Sequence, residues 1–132
     1  GLVCSLLGIR RPDELDYHFL KGSIFETFVV SEFIKGCYNT GERFEMYFWR
    51  DNHKKEIDLI IDAGMNQLGM EIKRSETIQE KYFSGLKYWM NLAGTAPENM
   101  YLIYGGSDSY KRNNMNITSW KNIYEGIIQK AI

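Results

Sequence analysis

The chain has 132 residues, 44% hydrophobic and 25% charged, which is the composition of one ordinary globular domain. Its formal net charge is −1, so the basic surplus of many nucleic-acid-binding proteins is absent, and any contact with phosphate groups must come from a local patch. No apolar run approaches the roughly 18 residues that span a bilayer, which excludes a membrane-spanning helix. The isolated cysteines Cys4 and Cys37 favour reduced thiols and a cytoplasmic location.

The first 36 residues predict helices. Leu2 to Ile9 is a short apolar segment of helical character, and a charged connection follows over residues 13–21. A stronger helix is predicted from Ser23 to Lys35, and Gly36 is expected to end it. The sequence begins with glycine rather than methionine, which indicates a fragment of a longer chain.

The rest of the chain alternates between strands and helices. Strands are predicted at residues 43–50, 56–62, 67–73, 100–104 and 115–118. Helices are predicted at residues 77–93, with Gly94 as the cap, and at residues 119–130. The first three strands suit an antiparallel meander, after which a helix crosses over to an apolar strand inside the sheet. We therefore predict one α/β domain over residues 1–132, with a mixed central β-sheet flanked by helices.

Charged side chains coincide on one face of the second and third predicted strands. Successive side chains on a strand point to opposite faces, so Asp58 is expected on the face opposite the apolar set Ile57, Leu59 and Ile61. Glu71 and Lys73 share the corresponding face of the third strand. A two-residue turn at residues 64–65 would place Asp58 across from Glu71, and a turn one residue along would place it across from Lys73.

Two carboxylates held side by side on neighbouring strands repel each other. A divalent cation would offset the repulsion between Asp58 and Glu71, and hard oxygen ligands favour Mg²⁺ or Mn²⁺. The alternative is that Lys73 neutralises both acids on a solvated face, as surface charges commonly do. Spacing by itself leaves both interpretations open.

Glu26 also has two interpretations. On a helical projection it lies inside an apolar arc with Val29 and Phe33, which directs the carboxylate toward the sheet, where it needs a partner. However, Ser23 and Glu26 also fit the Ser-x-x-Glu capping box, in which the glutamate reaches back to the start of its helix. The two roles stay open from the sequence.

An acid on a first helix, an Asp on a strand and Glu-x-Lys on the next strand resemble the PD-(D/E)XK nuclease superfamily. Here the residues are Glu26, Asp58 and Glu71-Ile72-Lys73. The amino-acid sequence of four segments is similar to that of the uncharacterised C-terminal domain of bacterial and archaeal AAA+ ATPases. These segments are residues 1–9, 22–30, 47–51 and 56–73.

The resemblance implies a restriction-endonuclease-like fold with an α-β-β-β-α-β core that normally follows an ATPase module. It further implies that Asp58, Glu71, Glu26 and the backbone carbonyl of Ile72 hold Mg²⁺ or Mn²⁺, and that Lys73 orients the attacking water or the phosphate in DNA or RNA. No proline precedes Asp58, where Ile57 stands instead. The chain contains no Gly-x-x-x-x-Gly-Lys-Ser/Thr loop, so the ATPase module lies outside it.

Three functions remain open at this point. The first is a metal-dependent nuclease, the second a non-catalytic module that binds nucleic acid or protein and regulates its ATPase, and the third a structural or oligomerisation domain. Basic pairs at residues 54–55, 73–74 and 111–112 could contact a phosphate backbone. Tyr47 and Trp49 could stack on bases or pack between sheet and helix.

Overall fold

A computed structural model describes residues 2–41 and 43–131 of the chain. Its α-helices are α1 (Leu2–Leu6), α2 (Pro12–Tyr17), α3 (Lys21–Thr40), α4 (Ser84–Ala93) and α5 (Gln129–Ala131). Its strands are β1 (Glu45–Arg50), β2 (Glu56–Ala63), β3 (Asn66–Lys73), β4 (Met100–Tyr104), β5 (Tyr110–Arg112) and β6 (Met115–Ser119). A 3₁₀ turn, Glu80–Phe83, leads into α4.

The six strands formed by these described residues make one mixed sheet in the order β1-β2-β3-β4-β6-β5. The neighbours β1, β2 and β3 are antiparallel, whereas β4 is parallel to both β3 and β6. This arrangement confirms the predicted mixed α/β sheet, its meander and its crossover through α4. β4 is buried along its whole length, as its uninterrupted apolar run predicts.

Two hydrophobic clusters cover the two faces of the sheet. Helix α3 contributes Val29, Phe33 and Cys37, spaced four residues apart, to the cluster that contains Met70 and Ile103. The 3₁₀ turn and α4 contribute Phe83 and Leu86 to the other cluster, against β4 and β6. The sheet is therefore held between α3 on one side and α4 on the other.

The prediction that Gly36 ends the long helix is wrong. Helix α3 begins two residues earlier than predicted and continues to Thr40, where Gly41 adopts a left-handed conformation with φ of 74°. Gly36 instead allows a close approach to the C-terminal segment, since a Cβ atom there would lie 2.2 Å from Cδ1 of Ile128. Tertiary packing, not helix termination, explains this glycine.

The C-terminal quarter differs from the prediction in two further ways. The short strand β5 was not predicted, although it pairs with β6 across Asn113 and Asn114, both at positive φ, and asparagine is typical of such tight hairpins. The predicted helix over residues 119–130 is divided into a 3₁₀ turn (Trp120–Asn122), a π-helical turn (Tyr124–Ile128) and α5. The segment still packs on the α3 side of the sheet through Ile127 and Ile128.

Candidate metal and phosphate site

The hairpin between β2 and β3 sets the register of the candidate site. Ala63 pairs with Asn66, so the turn consists of Gly64 and Met65, and Gly64 has φ of 79°. Regular pairing continues to Leu59 and Met70. Extending this register by one residue brings Asp58 level with Glu71, which is the first of the two arrangements predicted above.

A β-bulge in β2 changes the strand at the position where Asp58 lies. Two successive residues of β2, Asp58 and Leu59, oppose the single residue Phe48 of β1. The alternation of side chains is broken there, so Ile57 packs in the same cluster as Ile60. The prediction that Ile57 shares a face with Leu59 and Ile61 is therefore wrong.

Beyond the last regular backbone pair of β2 and β3, the carboxylate of Asp58 accepts a hydrogen bond from the backbone of β3. Its Oδ2 accepts a hydrogen bond of 2.7 Å from the backbone N–H of Ile72. Burial raises the pKa of Asp58, and the Ile72 N–H and the charge of Lys73 act in the opposite direction. The aspartate is thereby anchored to the strand that carries Glu71, Ile72 and Lys73.

Glu71 is the most deeply buried acid of the candidate site, with only 6% of its surface exposed. Its Oε1 lies 2.8 Å from Nζ of Lys73, whereas its Oε2 has no hydrogen-bond partner among the described residues. Burial and the charge of Asp58 raise the pKa of Glu71 to about 7, against the opposing effect of Lys73. A buried carboxylate oxygen without a partner is costly, so this atom is suited to a ligand.

Lys73 is partly buried and forms an ion pair with Glu71. Burial opposes its charged form, but the hydrogen bond to Glu71 and the surrounding carboxylates outweigh burial and raise its pKa. Its Nζ also lies 5.8 Å from the ring centroid of Tyr82, at the separation of a cation–π contact. Lys73 therefore carries a positive charge at neutral pH.

Glu26 does not form the capping box that its sequence allows. Because α3 begins at Lys21, Glu26 lies in the second turn of the helix, beyond the reach of a capping role. The capping glutamate of this region is Glu14, whose Oε2 accepts the backbone N–H groups of Arg10 and Arg11 at the start of α2. Burial and the charge of Asp58 raise the pKa of Glu26, which lies near the sheet acids.

The acids line two neighbouring clefts. One, of about 280 Å³, is lined by Glu26, Phe48, Trp49, Arg50, Glu56, Ile57 and Asp58. The other, of about 510 Å³, is lined by Glu71 and Lys73 together with Lys54, Lys55, Glu56, Lys81, Tyr82, Ser84 and Gly85. Glu56 belongs to both, so the two clefts adjoin at the start of β2.

Glu56 is a candidate residue that the sequence prediction did not include. It raises the pKa of Asp58, Glu71 and Glu26 through its charge, so it belongs electrostatically to the same cluster. Its position two residues before Asp58 on a strand could have identified it. Helix α4 approaches closely here, since a Cβ atom on Gly85 would lie 2.4 Å from the Glu56 carbonyl oxygen and 3.6 Å from Oε2 of Glu71.

The carboxylates of the candidate site would suit a Mg²⁺ or Mn²⁺ ion that keeps several of its waters, rather than an ion surrounded entirely by protein ligands. Within residues 2–41 and 43–131, no group of three or more His, Cys, Asp or Glu side chains is arranged to hold a metal ion. Asp58 and Glu71 nevertheless supply two carboxylates, and Mg²⁺ is commonly held by one or two carboxylates and several waters. The Ile72 side chain is buried in the core, which leaves only its backbone groups for the site.

One known protein family matches the part of the sequence that forms the candidate site. A family model for a domain of unknown function, DUF4143, matches residues 21–123. The chain belongs to the DUF4143 family. The matched DUF4143 region begins at the first residue of α3 and contains all five predicted site residues, Glu26, Asp58, Glu71, Ile72 and Lys73, whereas α1 and α2 precede it.

Two further findings describe this DUF4143 domain. No curated protein matches the sequence. Among the described residues, no helix has both the length and the apolar character that crossing a membrane requires.

Proposed function

We propose that this DUF4143 domain is a Mg²⁺- or Mn²⁺-dependent phosphodiesterase that hydrolyses DNA or RNA. The observation that carries the proposal is the buried, unpartnered Oε2 of Glu71, on a carboxylate whose other oxygen contacts Lys73 and whose neighbour across the hairpin is Asp58. Two acids and one permanent cation therefore line two adjoining clefts, and two acids with a cation are the set of groups that metal-assisted phosphoryl chemistry uses.

Asp58 and Glu71 would hold the cation, together with the Ile72 carbonyl. When bound, the cation would lower the pKa of a coordinated water and stabilise negative charge on the phosphate. Asp58 is held for this role by its bond from the Ile72 N–H, and burial keeps the Glu71 carboxylate out of bulk water. Glu26 would act through water, since its cleft lies beside that of Glu71.

Lys73 would contribute a positive charge beside the scissile phosphate. Its pKa is raised by its acidic neighbours, so it is a point charge and hydrogen-bond donor, not a base. Lys54, Lys55 and Lys81 line the same 510 Å³ cleft and would attract the phosphates on either side. These lysines would provide a local positive charge for binding phosphate, although the net charge of the whole chain is −1.

A restriction-endonuclease-like fold is part of the proposal. The chain order α3-β1-β2-β3-α4-β4 follows the α-β-β-β-α-β core implied by the resemblance, with the acids on α3, β2 and β3 in the expected order. The same resemblance supports an AAA+ ATPase module as the partner of this domain.

A non-catalytic role is the second candidate function. The observation that favours it is the separation of the acids into two clefts, with Glu26 and Asp58 in one and Glu71 and Lys73 in the other. In that case the same surface would bind nucleic acid or protein and regulate the ATPase.

Cleavage assays on single- and double-stranded DNA and RNA in Mg²⁺ or Mn²⁺ separate the two functions. Asp58→Ala and Lys73→Ala are expected to lower the rate at least 100-fold, as loss of a ligand or of transition-state charge stabilisation does. Asp62→Asn is the matched control, because Asp62 lies on the same strand but lines neither cleft. Cleavage that survives both substitutions would refute this site, and nucleic-acid binding without cleavage in any divalent ion would favour the regulatory module.

A further inference from the structure

Phe48 is an aromatic residue that the core leaves exposed. Its side chain is 70% exposed, although it lies in the middle of β1. Neither hydrophobic cluster of the described residues includes it. The next residue, Trp49, by contrast stacks on Tyr88 at 5.8 Å and contacts Trp89 at 5.2 Å. Of the three aromatics on β1, Trp49 therefore serves packing, the hydroxyl of the half-exposed Tyr47 donates a hydrogen bond to Glu45, and Phe48 is the most exposed and available to contact a ligand.

The position of Phe48 relates it to the acids. It stands at the β-bulge, on β1, opposite Asp58 and Leu59 of β2. Phe48 lines the 280 Å³ cleft together with Glu26, Asp58, Trp49 and the exposed Arg50. An apolar ring beside two carboxylates is poorly placed for protein packing, but it matches a base whose phosphate lies at the acids.

The adjoining 510 Å³ cleft carries lysines beside Glu56 and Glu71. Lys54 and Lys55 lie on the loop between β1 and β2 and line the adjoining cleft with Lys81. Asp51 shapes this loop, because its Oδ1 accepts the backbone N–H groups of His53 and Lys55 at 2.8 Å each. The lysines therefore line one of the two clefts that share Glu56, and Phe48 lines the other.

We infer that the substrate is a single-stranded nucleic acid, with one unpaired base stacked on Phe48 and the adjacent backbone along Lys54, Lys55 and Lys81. The inference rests on the proposed function, because the scissile phosphate would lie at Asp58 and Glu71, between the base on Phe48 and the backbone along the lysines. A stacking ring with a phosphate-binding groove is how single strands are held without sequence readout. In a duplex, the bases are stacked on one another and their faces are not available to Phe48.

Binding measured without divalent ions tests this inference independently of catalysis. The probe is a 12-nucleotide single strand, as DNA and as RNA, containing 2-aminopurine, whose fluorescence is quenched by stacking; the corresponding duplexes are measured in parallel in EDTA. Phe48→Leu, which keeps an apolar side chain but removes the ring, is expected to weaken single-strand binding roughly 5- to 150-fold. Phe48→Trp should restore both affinity and quenching.

The matched control is Tyr110→Leu, an exposed aromatic on β5 at the opposite edge of the sheet. It should leave single-strand affinity within about twofold of wild type, and duplex affinity should be unaffected by every Phe48 variant. Unchanged single-strand affinity in Phe48→Leu would overturn the inference. So would a dimer, seen by sedimentation, that Phe48→Leu dissociates, because the ring would then serve a protein contact. Phe48-dependent binding without cleavage in any divalent ion would refute the proposed catalysis while leaving the stacking site intact.

Discussion

Nζ of Lys73 lies 2.8 Å from Oε1 of Glu71, while Oε2 of the same carboxylate has no hydrogen-bond partner among the described residues. The two side chains are two residues apart on β3 and therefore share a face. One oxygen is neutralised and the other is buried without compensation. This asymmetry distinguishes the site from a solvated surface ion pair, in which water would satisfy both oxygens.

The first prediction concerns the pH dependence of stability. The pKa of Glu71 is about 7 in the folded state and near its ordinary value of 4.5 when unfolded. The folded state therefore binds the proton more tightly, and the free energy of unfolding should fall as pH rises from about 4.5 through 7. In Glu71→Gln this decrease should be smaller by roughly 1–3 kcal/mol, as measured by urea denaturation without metal between pH 5 and pH 8. A variant curve parallel to wild type would contradict this.

The second prediction concerns metal affinity. A cation must displace the proton from Glu71, so Mn²⁺ affinity should fall about tenfold per pH unit below pH 7 and level off above it. Isothermal titration calorimetry at pH 6, 7 and 8 measures this directly. Glu71→Gln should bind weakly and without that pH dependence. Equal affinity at pH 6 and pH 8 would indicate that the ion binds elsewhere.

The third prediction concerns the contact of α4 with β2. A Cβ atom on Gly85 would lie 2.4 Å from the carbonyl oxygen of Glu56, a backbone atom that cannot move aside cheaply. Gly85→Ala should lower the free energy of unfolding by about 1–3 kcal/mol and displace α4 from the site. Thermal and urea denaturation provide the measurement.

Gly22→Ala is the control for that substitution. Gly22 lies in the first turn of α3, and an added Cβ atom would meet nothing within 4 Å. Alanine has the higher helix propensity, so this variant should be neutral or more stable by up to about 1 kcal/mol. Equal destabilisation by both substitutions would show that crowding at Glu56 is not the cause.

The fourth prediction concerns the packing of α3 on the C-terminal segment. Gly36→Ala would place a Cβ atom 2.2 Å from Cδ1 of Ile128, so it should destabilise the domain by about 1–3 kcal/mol. Ile128→Val removes that terminal methyl group and should offset much of the loss in the double variant. A double-mutant cycle by urea denaturation measures the coupling. Additive effects would contradict the contact.

Local pattern was sufficient for the elements that frame the site. Period-two alternation predicted β2 and β3, and the requirement that their apolar side chains share a core restricted the turn to two positions. The uninterrupted apolar run predicted the buried β4. These features depend on residues close together in sequence, so the sequence alone predicted that Asp58, Glu71 and Lys73 lie near one another.

Other features depend on contacts distant in sequence. The β-bulge that moves Ile57 to the α4 side arises from how β1 pairs with β2, and no spacing within β2 encodes it. Glycine is a residue type that commonly ends helices, but Gly36 instead permits the close contact with Ile128, 92 positions later in the sequence. The role of Glu26 was undecided in sequence until the start of α3 at Lys21 excluded the capping box.

By itself, then, the sequence determined the α/β architecture, the hairpin and the grouping of two acids with one lysine, because side-chain periodicity and core burial act locally. Only the tertiary structure decided the burial of Glu71, with one oxygen unpartnered among the described residues, and the exposure of Phe48. Each of these depends on how closely α3, α4 and β1 approach the hairpin, and that distance is set by packing across the whole domain.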